Sequence, residues 1–369
     1  MARLIKWPDI EQYRSTVHNV VHSAHYIGKD ENGDPIYDKT RNSPTLKFEG
    51  TVKLHGTNAA VCFGYDNEEW CQSRENIITV EKDNAGFAMF VNNNKQVFQD
   101  ITNAVALLRD IPVEKLLNED VAIYGEWCGK GIQDTVAITQ LPRMFVIFGI
   151  AFVNSEGKKT YLTRQQVEAT IGWKRWGSGS EFNPAAEDIT GKGRIFSIYD
   201  FPSFQVTIDF NKPHEFQNGL NDMTAQVEAE CPVAKAFGVS GLGEGIVWRC
   251  IEEGYEDSGY WFKVKGDKHS GSKVKMNATV DVERINNIHA LCETLSHTGR
   301  LAQMYQKVFD TLNGGQPDIK RMGEFIKAVM ADILKEELDT IAASGFTTKD
   351  ITGPISKITR DYLLEQLEV

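Results

Sequence analysis

Six cysteines, at positions 62, 71, 128, 231, 250 and 292, are scattered through 369 residues, and no CxxC pair occurs. That excludes a zinc ribbon and a disulfide scaffold, and makes a reducing compartment the natural expectation. No apolar run reaches bilayer length. The longest, Met144 to Val153 (MFVIFGIAFV), is ten residues, whereas a spanning helix needs roughly 20. The opening MARLIKWPDIEQ has no apolar signal core, so the expectation is a cytoplasmic chain without membrane or secretory targeting. GxxxxGK[ST] is absent, which excludes a P-loop, and GKGR at 191–194 lacks the strand–helix context of a phosphate cradle. Positive charge is not in excess either: Lys plus Arg is 40 against 51 Asp plus Glu, a net charge of −11. Binding of nucleic acid by bulk charge alone is therefore excluded, and a local basic groove on an acidic surface remains open.

What is present is enough apolar sequence, 41%, for a substantial core. From about residue 45 to 275 the chain alternates in short β-rich runs broken by Gly, Asn and Asp: TLKFEGTVKLHG, NAAVCFGY, DVAIYGEW, RMFVIFGIAFV, EGIVWRCIEE and GYWFKVKG. Helical patterns interrupt them in NAGFAMFVNNNKQVFQDITNAVALLRD and LTRQQVEATIG. This order implies an α+β fold with antiparallel sheets rather than a doubly wound sheet. After about 280 the texture becomes helical. Met322 to Leu338 places Phe325, Ile326, Val329, Met330, Ile333 and Leu334 at core spacing. Pro354 is expected to open the last helix, PISKITRDYLLEQLEV. Residues 281–369 hold 10 Lys/Arg and 14 Asp/Glu, so this part is mildly acidic. Residues 176–195 read as a surface loop, and KGDKHSGSKVKMNA as a linker. These features divide the chain into 1–278, rich in strands, and an all-helical 279–369.

Six elements carry chemistry, in a fixed order. Lys53-Leu54-His55-Gly56-Thr57-Asn58 puts a lysine at a strand end before a glycine turn. A lysine held by strand pairing and partly desolvated becomes a nucleophilic amine. Arg74 follows in CQSREN, then Glu126 in YGEW, Phe148 in the buried run FVIFGI, Glu244 in EGIVWR, and Lys263 and Lys265 in FKVKG. The last two lysines are two apart, so a strand points both to one face. Paired ammonium groups suit a triphosphate or a nucleic-acid backbone.

This order resembles the covalent nucleotidyltransferases, the superfamily of ATP-dependent ligases and capping enzymes, and most closely the RNA ligase 2 family of nick-sealing double-stranded RNA ligases. KLHGTN matches the KxHGxN signature of that family better than the KxDG of DNA ligases and capping enzymes, and GEWCGKGIQ, EGIVWR and FKVKG match its later elements. The resemblance covers roughly residues 45 to 270; the helical tail matches the family's C-terminal domain in texture only. It implies a nucleotidyltransferase (ATP-grasp-like ligase) domain over 1–278, with 279–369 engaging RNA. It also implies a soluble monomer in the cytoplasm, or in the host cytoplasm for a viral enzyme. Lys53 would take AMP from ATP, and His55 and Asn58 would line the nucleotide site. Arg74 would contact the ribose or the RNA 5′-phosphate, Glu126 the adenosine ribose, and Phe148 the adenine. Glu244 would help place Mg²⁺ or Mn²⁺, and Lys263 and Lys265 would meet the α-phosphate. The implied substrate is RNA with 3′-OH and 5′-phosphate ends, as in a nicked duplex, and the implied process is RNA repair. A DNA ligase or capping-type guanylyltransferase, or a catalytically inert RNA-binding relative, is the alternative.

Two positions depart from the family pattern. Val52 precedes the nucleophile, and Gly149 follows Phe148, where relatives often carry acidic residues. His18, His22 and His25 share one face of a helix, but no carboxylate or cysteine accompanies them, so they read as surface or satisfied core histidines rather than metal ligands. Lys263, Lys265, Lys268, Lys273 and Lys275 form the most basic stretch, with its first half expected to face RNA.

Overall fold

The computed structural model describes residues 2–65, 68–83, 85–108, 119–176, 194–266, 288–311 and 315–368. Most of the expected 176–195 loop, the linker with its boundary at 278/279, and Lys268, Lys273 and Lys275 lie outside the described residues. The fold is α+β. The chain forms two compact units: Met1–Ile10, Leu46–Thr207 and Ala229–Trp261 make the first, and Glu11–Thr45, Ile208–Glu228 and Phe262–Val369 the second.

The first unit is organised by a seven-stranded sheet. Its spine is three long antiparallel strands, Thr57–Phe63, Asp120–Cys128 and Met144–Val153. In register, Thr57 faces Trp127 and Trp127 faces Phe145. Both faces of the central strands are buried, which is why FVIFGIAFV reads as a continuous apolar run rather than an alternating one. The helical pattern around residue 95 resolves into two helices, Phe87–Asn93 and Lys95–Leu108. Phe87 packs its ring 5.6 Å from Trp127 and 4.8 Å from Phe145. Gly245–Cys250 pairs antiparallel with the strand that ends at Lys53, Gly245 lying opposite Lys53.

The other face of the large sheet is closed by Trp7. Its ring lies 4.8 Å from Tyr124, 5.1 Å from Phe148, 5.1 Å from Tyr161 and 5.3 Å from Trp261. The Arg249 guanidinium stands 5.0 Å from the Trp7 ring and 4.5 Å from Trp261, a cation held over aromatic faces. This packing explains the departure at residue 149. A Cβ on Gly149 would come within 2.4 Å of the Trp7 indole, so the space that a larger residue at 149 would need is filled by tryptophan.

The second unit has its own apolar core around the C-terminal helices Ile288–Leu295, Thr298–Phe309, Met322–Ala343 and Thr348–Glu368. Phe325, Val329 and Ile333 are buried in it, with Met330 and Leu334 packed against them, as their spacing requires. One boundary differs from expectation. The last helix starts at Thr348, and Pro354 lies inside it. Asp350 accepts from the Thr347 backbone N–H at 2.7 Å and from its hydroxyl at 2.6 Å, so the start is fixed a full turn before the proline. The histidine helix forms as expected, Tyr13–His25. His18 stacks on His22, and His22 leans on Tyr37. No group of three or more potential metal ligands occurs among the described residues.

Inside this unit Arg300, 3% exposed, reaches Asp332 at 2.9 Å, Glu336 at 3.1 Å and Glu337 at 3.4 Å. A buried guanidinium against three carboxylates holds three helix positions together, and its removal leaves the carboxylates uncompensated. Arg300→Ala is therefore expected to lower unfolding free energy by about 3–5 kcal/mol, read as a drop in urea midpoint. Gly149→Ala, by forcing Trp7 out of its aromatic cage, should cost about 1–3 kcal/mol in the same titration; an unchanged midpoint would mean that the cage yields freely.

Candidate active site

The strand pairing that sets Gly245 opposite Lys53 places Glu244, the residue just before that strand, beside the last residue of its neighbour. The Lys53 ammonium donates to Glu244 Oε2 at 2.7 Å, and the His55 Nδ1 lies 3.3 Å from the same oxygen. Glu244 is 3% exposed and Lys53 24%. The carboxylate is buried while the lysine keeps an opening to solvent. Glu244 was expected on the strand itself; it stands at the strand's mouth, with Gly245 beginning the pairing.

The turn after Lys53 is held by the large sheet. The Gly56 backbone N–H donates to Glu126 Oε1 at 2.9 Å, and the Gln133 amide donates to the Gly56 carbonyl at 3.2 Å. Residue 56 must be glycine, because a Cβ there would lie 2.5 Å from the Trp127 carbonyl oxygen. Asn58 sits opposite Glu126 in register, so the two polar side chains occupy adjacent positions on one face. Burial pushes the Glu126 carboxyl up, and the nearby Glu244 charge adds to it; Lys53, the Gly56 N–H and His55 pull the other way, leaving it at about 7.

Phe148 is the one half-exposed residue of its strand. It has no partner in the register because the pairing shifts there: Tyr124 faces Gly149 and Gly125 faces Ile147. This bulge turns the ring off the regular alternation, and the Phe148 carbonyl accepts from Arg249 at 2.8 Å. Arg74 follows Ser73, which pairs with Ala59. Its guanidinium is 43% exposed and pairs with Asp9.

Lys263 and Lys265 belong to the second unit. They alternate with buried Phe262 and Val264 on Trp261–Lys265, as expected. Lys263 donates to Glu336 Oε1 at 3.0 Å. Burial alone would raise the Glu336 carboxyl, but Lys263, Lys265 and Arg300 outweigh it and hold it down at about 2. Thus the first unit brings together Lys53, His55, Asn58, Glu126 and Glu244. The paired lysines are seen with Glu336, a partner that no motif announced. Gln133 closes the GEWCGKGIQ stretch, and its bond to Gly56 makes it the link between that loop and the lysine turn.

Glu244 and Glu126 also bear on a divalent metal. Both supply carboxylate oxygens, the donor type that Mg²⁺ and Mn²⁺ prefer, and such ions need only one or two carboxylates when substrate phosphates and water complete the shell. The residues present therefore fit a metal carried with a triphosphate better than a metal held by protein alone.

Comparisons with known proteins come from two directions. The family described as RNA ligase matches residues 46–265, well over half of the chain. No curated protein matches the chain. Among solved structures, a lysine-to-alanine mutant of Naegleria gruberi RNA ligase with ATP and Mn is 16% identical, with 72% of this chain and 57% of that chain covered and a TM-score of 0.42. The same ligase with PPi is 17% identical, with the same coverage and a TM-score of 0.41. The chain thus spans little more than half the length of these solved proteins. The family match begins one residue inside the strand that ends at Lys53 and closes on Lys265, so that it takes in every one of the six elements, and the chain belongs to the RNA ligase family.

Proposed function

We propose that the protein is an ATP-dependent RNA ligase of the RNA ligase 2 type, joining RNA 3′-OH and 5′-phosphate ends, most simply at a nick in duplex RNA. The observation that carries this reading is the Lys53 ammonium at the open end of a strand, 2.7 Å from a buried carboxylate, inside the segment matched as RNA ligase. Lys53 is the nucleophile. Its amine attacks the α-phosphorus of ATP; the P–N bond forms, and the P–O bond to pyrophosphate breaks. The proton that Lys53 must shed has Glu244 Oε2 as its first acceptor, and His55 contacts the same oxygen. AMP then passes to an RNA 5′-phosphate, and the 3′-hydroxyl displaces it as the ends join. Little else is asked of the protein than alignment and charge neutralisation.

The remaining residues are assigned by chemistry and place. Glu126, with Asn58 beside it, accepts from ribose hydroxyls. Phe148, turned out at its bulge, offers an aromatic face to adenine. Arg74 meets the ribose or an RNA phosphate once released from Asp9. Lys263 and Lys265 neutralise phosphate oxygens. Glu244 is the carboxylate offered to Mg²⁺ or Mn²⁺, whose chemistry when bound is to screen the phosphate charges. The functional division is taken at 278/279: nucleotide chemistry in 1–278, RNA engagement in 279–369. The self-contained core of residues 291–363 supports it. A mildly acidic tail is no RNA groove by bulk charge, so engagement rests on a few placed cations and on shape. The protein acts as a monomer in the cytoplasm, in RNA repair. A DNA ligase, a capping-type enzyme or an inert RNA-binding relative is the alternative: incubation with labelled ATP and GTP separates the last two, since a ligase of this type forms an acid-labile adduct with ATP only, and sealing of nicked RNA against nicked DNA duplex separates the first.

Lys53→Ala should abolish that adduct in a chain that still folds, at a lower thermal midpoint because the buried Glu244 loses its ammonium partner, and should still seal RNA already adenylylated at its 5′ end. Undiminished adduct in this variant would remove Lys53 from the role.

Glu126 makes the site pH-dependent. Only its ionised form can accept two ribose hydroxyls, so affinity for a non-hydrolysable ATP analogue should rise through about pH 7 and lose that inflection in Glu126→Gln. The stability effect has the opposite sign. The native carboxyl holds its proton to a higher pH than the unfolded chain does, so stability falls as pH rises from about 4.5 to about 7. Melting curves of wild type and Glu126→Gln across that window should converge at the acid end and diverge in favour of the variant above it.

A chain ending at 278 should stay soluble and form the Lys53 adduct, yet lose most sealing of a nicked RNA duplex. Full sealing by the fragment would refute the RNA role of the tail.

A further inference from the structure

The end of the large sheet that receives the Lys53 turn carries cations that the nucleotide chemistry does not use. Thr57, Trp127 and Phe145 mark that end on three adjacent strands, and Ile195 joins Phe145 in parallel pairing. The Phe145 N–H donates to the Arg194 carbonyl at 2.9 Å. Arg143 and Arg194 therefore leave the sheet on neighbouring strands, beside the loop Gly129–Gly131 that follows Asp120–Cys128. The Arg143 guanidinium is clamped: Nε donates to the Lys130 carbonyl at 3.0 Å, and one terminal nitrogen donates to the Ala85 carbonyl at 2.7 Å. The Trp127 indole N–H shares that Ala85 carbonyl at 2.9 Å. The other terminal nitrogen of Arg143 has no hydrogen bond among the described residues. The Arg194 Nε is buried and likewise has no partner there.

Arg143, Arg194 and the exposed Lys130 have no ion pair to a carboxylate among the described residues. Burial disfavours the protonated form of Arg194, and the Arg143 charge adds to it. Two arginines at the ends of neighbouring strands, with no counter-charge among the described residues, in a chain of net charge −11, suit an anion. The same loop reaches the lysine turn through Gln133 and Gly56, so whatever binds here lies next to the nucleophile's support.

We propose that Arg143, Arg194 and Lys130 bind phosphodiester groups of the RNA strand being joined. The inference rests on the RNA ligase reading for its ligand. Three features select a polynucleotide backbone: the anion must be multivalent enough to neutralise neighbouring arginines, the fork geometry of guanidinium matches phosphate oxygens, and the patch opens at the sheet end where the strand termini would be aligned.

The test uses the full chain with Arg194→Gln and Arg194→Lys. Affinity for a nicked RNA duplex is measured by fluorescence anisotropy without ATP, over 50–200 mM salt, roughly the range in which phosphate contacts show themselves, and the yield of the Lys53 adduct is measured separately. Arg194→Gln should weaken RNA binding by about tenfold and reduce the slope of log affinity against log salt by about one contact. Arg194→Lys should recover much of the slope, and the adduct yield should match wild type in both. Unchanged affinity and slope would overturn the proposal. So would a higher ATP requirement with normal RNA affinity, which would assign the patch to the triphosphate, or a joint loss of adduct and RNA binding in both variants, which would make Arg194 structural. If the wild-type chain itself forms no adduct while Arg194→Gln still loses RNA affinity, the patch stands and the ligase reading falls.

Discussion

A buried carboxylate is expensive unless it is paired, and Glu244 is paired with Lys53 and His55 at a single oxygen. That constraint organises the first unit. Lys53 is fixed because its strand ends in register with Gly245. His55 and Gly56 are fixed because the turn must deliver an N–H to Glu126. Glu126 in turn is positioned by the longest strand pairing in the unit. The candidate site therefore sits where two separately paired strands meet a turn, and small errors in either register would part the lysine from its carboxylate.

Two charge clusters in the chain are built on opposite principles. Around Arg300 every cation has a carboxylate within reach, and the result is a fastening. Glu126 and Glu244 lie close to one lysine, and burial, with the Glu244 charge adding to it, leaves the Glu126 carboxyl holding its proton to about pH 7. A fully neutralised cluster gives rigidity, and a ligand enters it only by displacing a charge already paired. An unbalanced one costs stability and is ready for protons, phosphates or metal. The distinction separates the helical core from the site without reference to any motif.

Much of the candidate site's geometry was legible because its residues are carried by strands. Period-two alternation in FKVKG assigned Lys263 and Lys265 to one face, and the structure has them alternate with buried Phe262 and Val264. A glycine after a strand lysine signalled the tight turn, and Trp127 supplies its reason. What was illegible depends on contacts distant in sequence. Gly149 looked like a lost carboxylate until Trp7, 142 residues earlier in the chain by the numbering, was found against it. The start of the last helix was misread because proline is a strong local signal, while the Thr347–Asp350 cap that overrides it consists of two common residues. Glu336 carries no motif, and its pairing with Lys263 depends on a contact 73 residues away in the chain.

The pairing of Lys263 with Glu336 has a consequence for how the second unit is read. A carboxylate held at about 2 by two lysines and an arginine stays ionised at any working pH, so it never yields its place by protonation. It gives way only to a group that offers Lys263 more negative charge, and a phosphate does. If Lys263 serves the nucleotide, as proposed, Glu336 is the group from which phosphate must win it. Arg300 would still hold Glu336 after that exchange through its other oxygen, so the helix would lose one tether and keep the second. The exchange therefore alters the charge around the strand while leaving the fold of the helices in place.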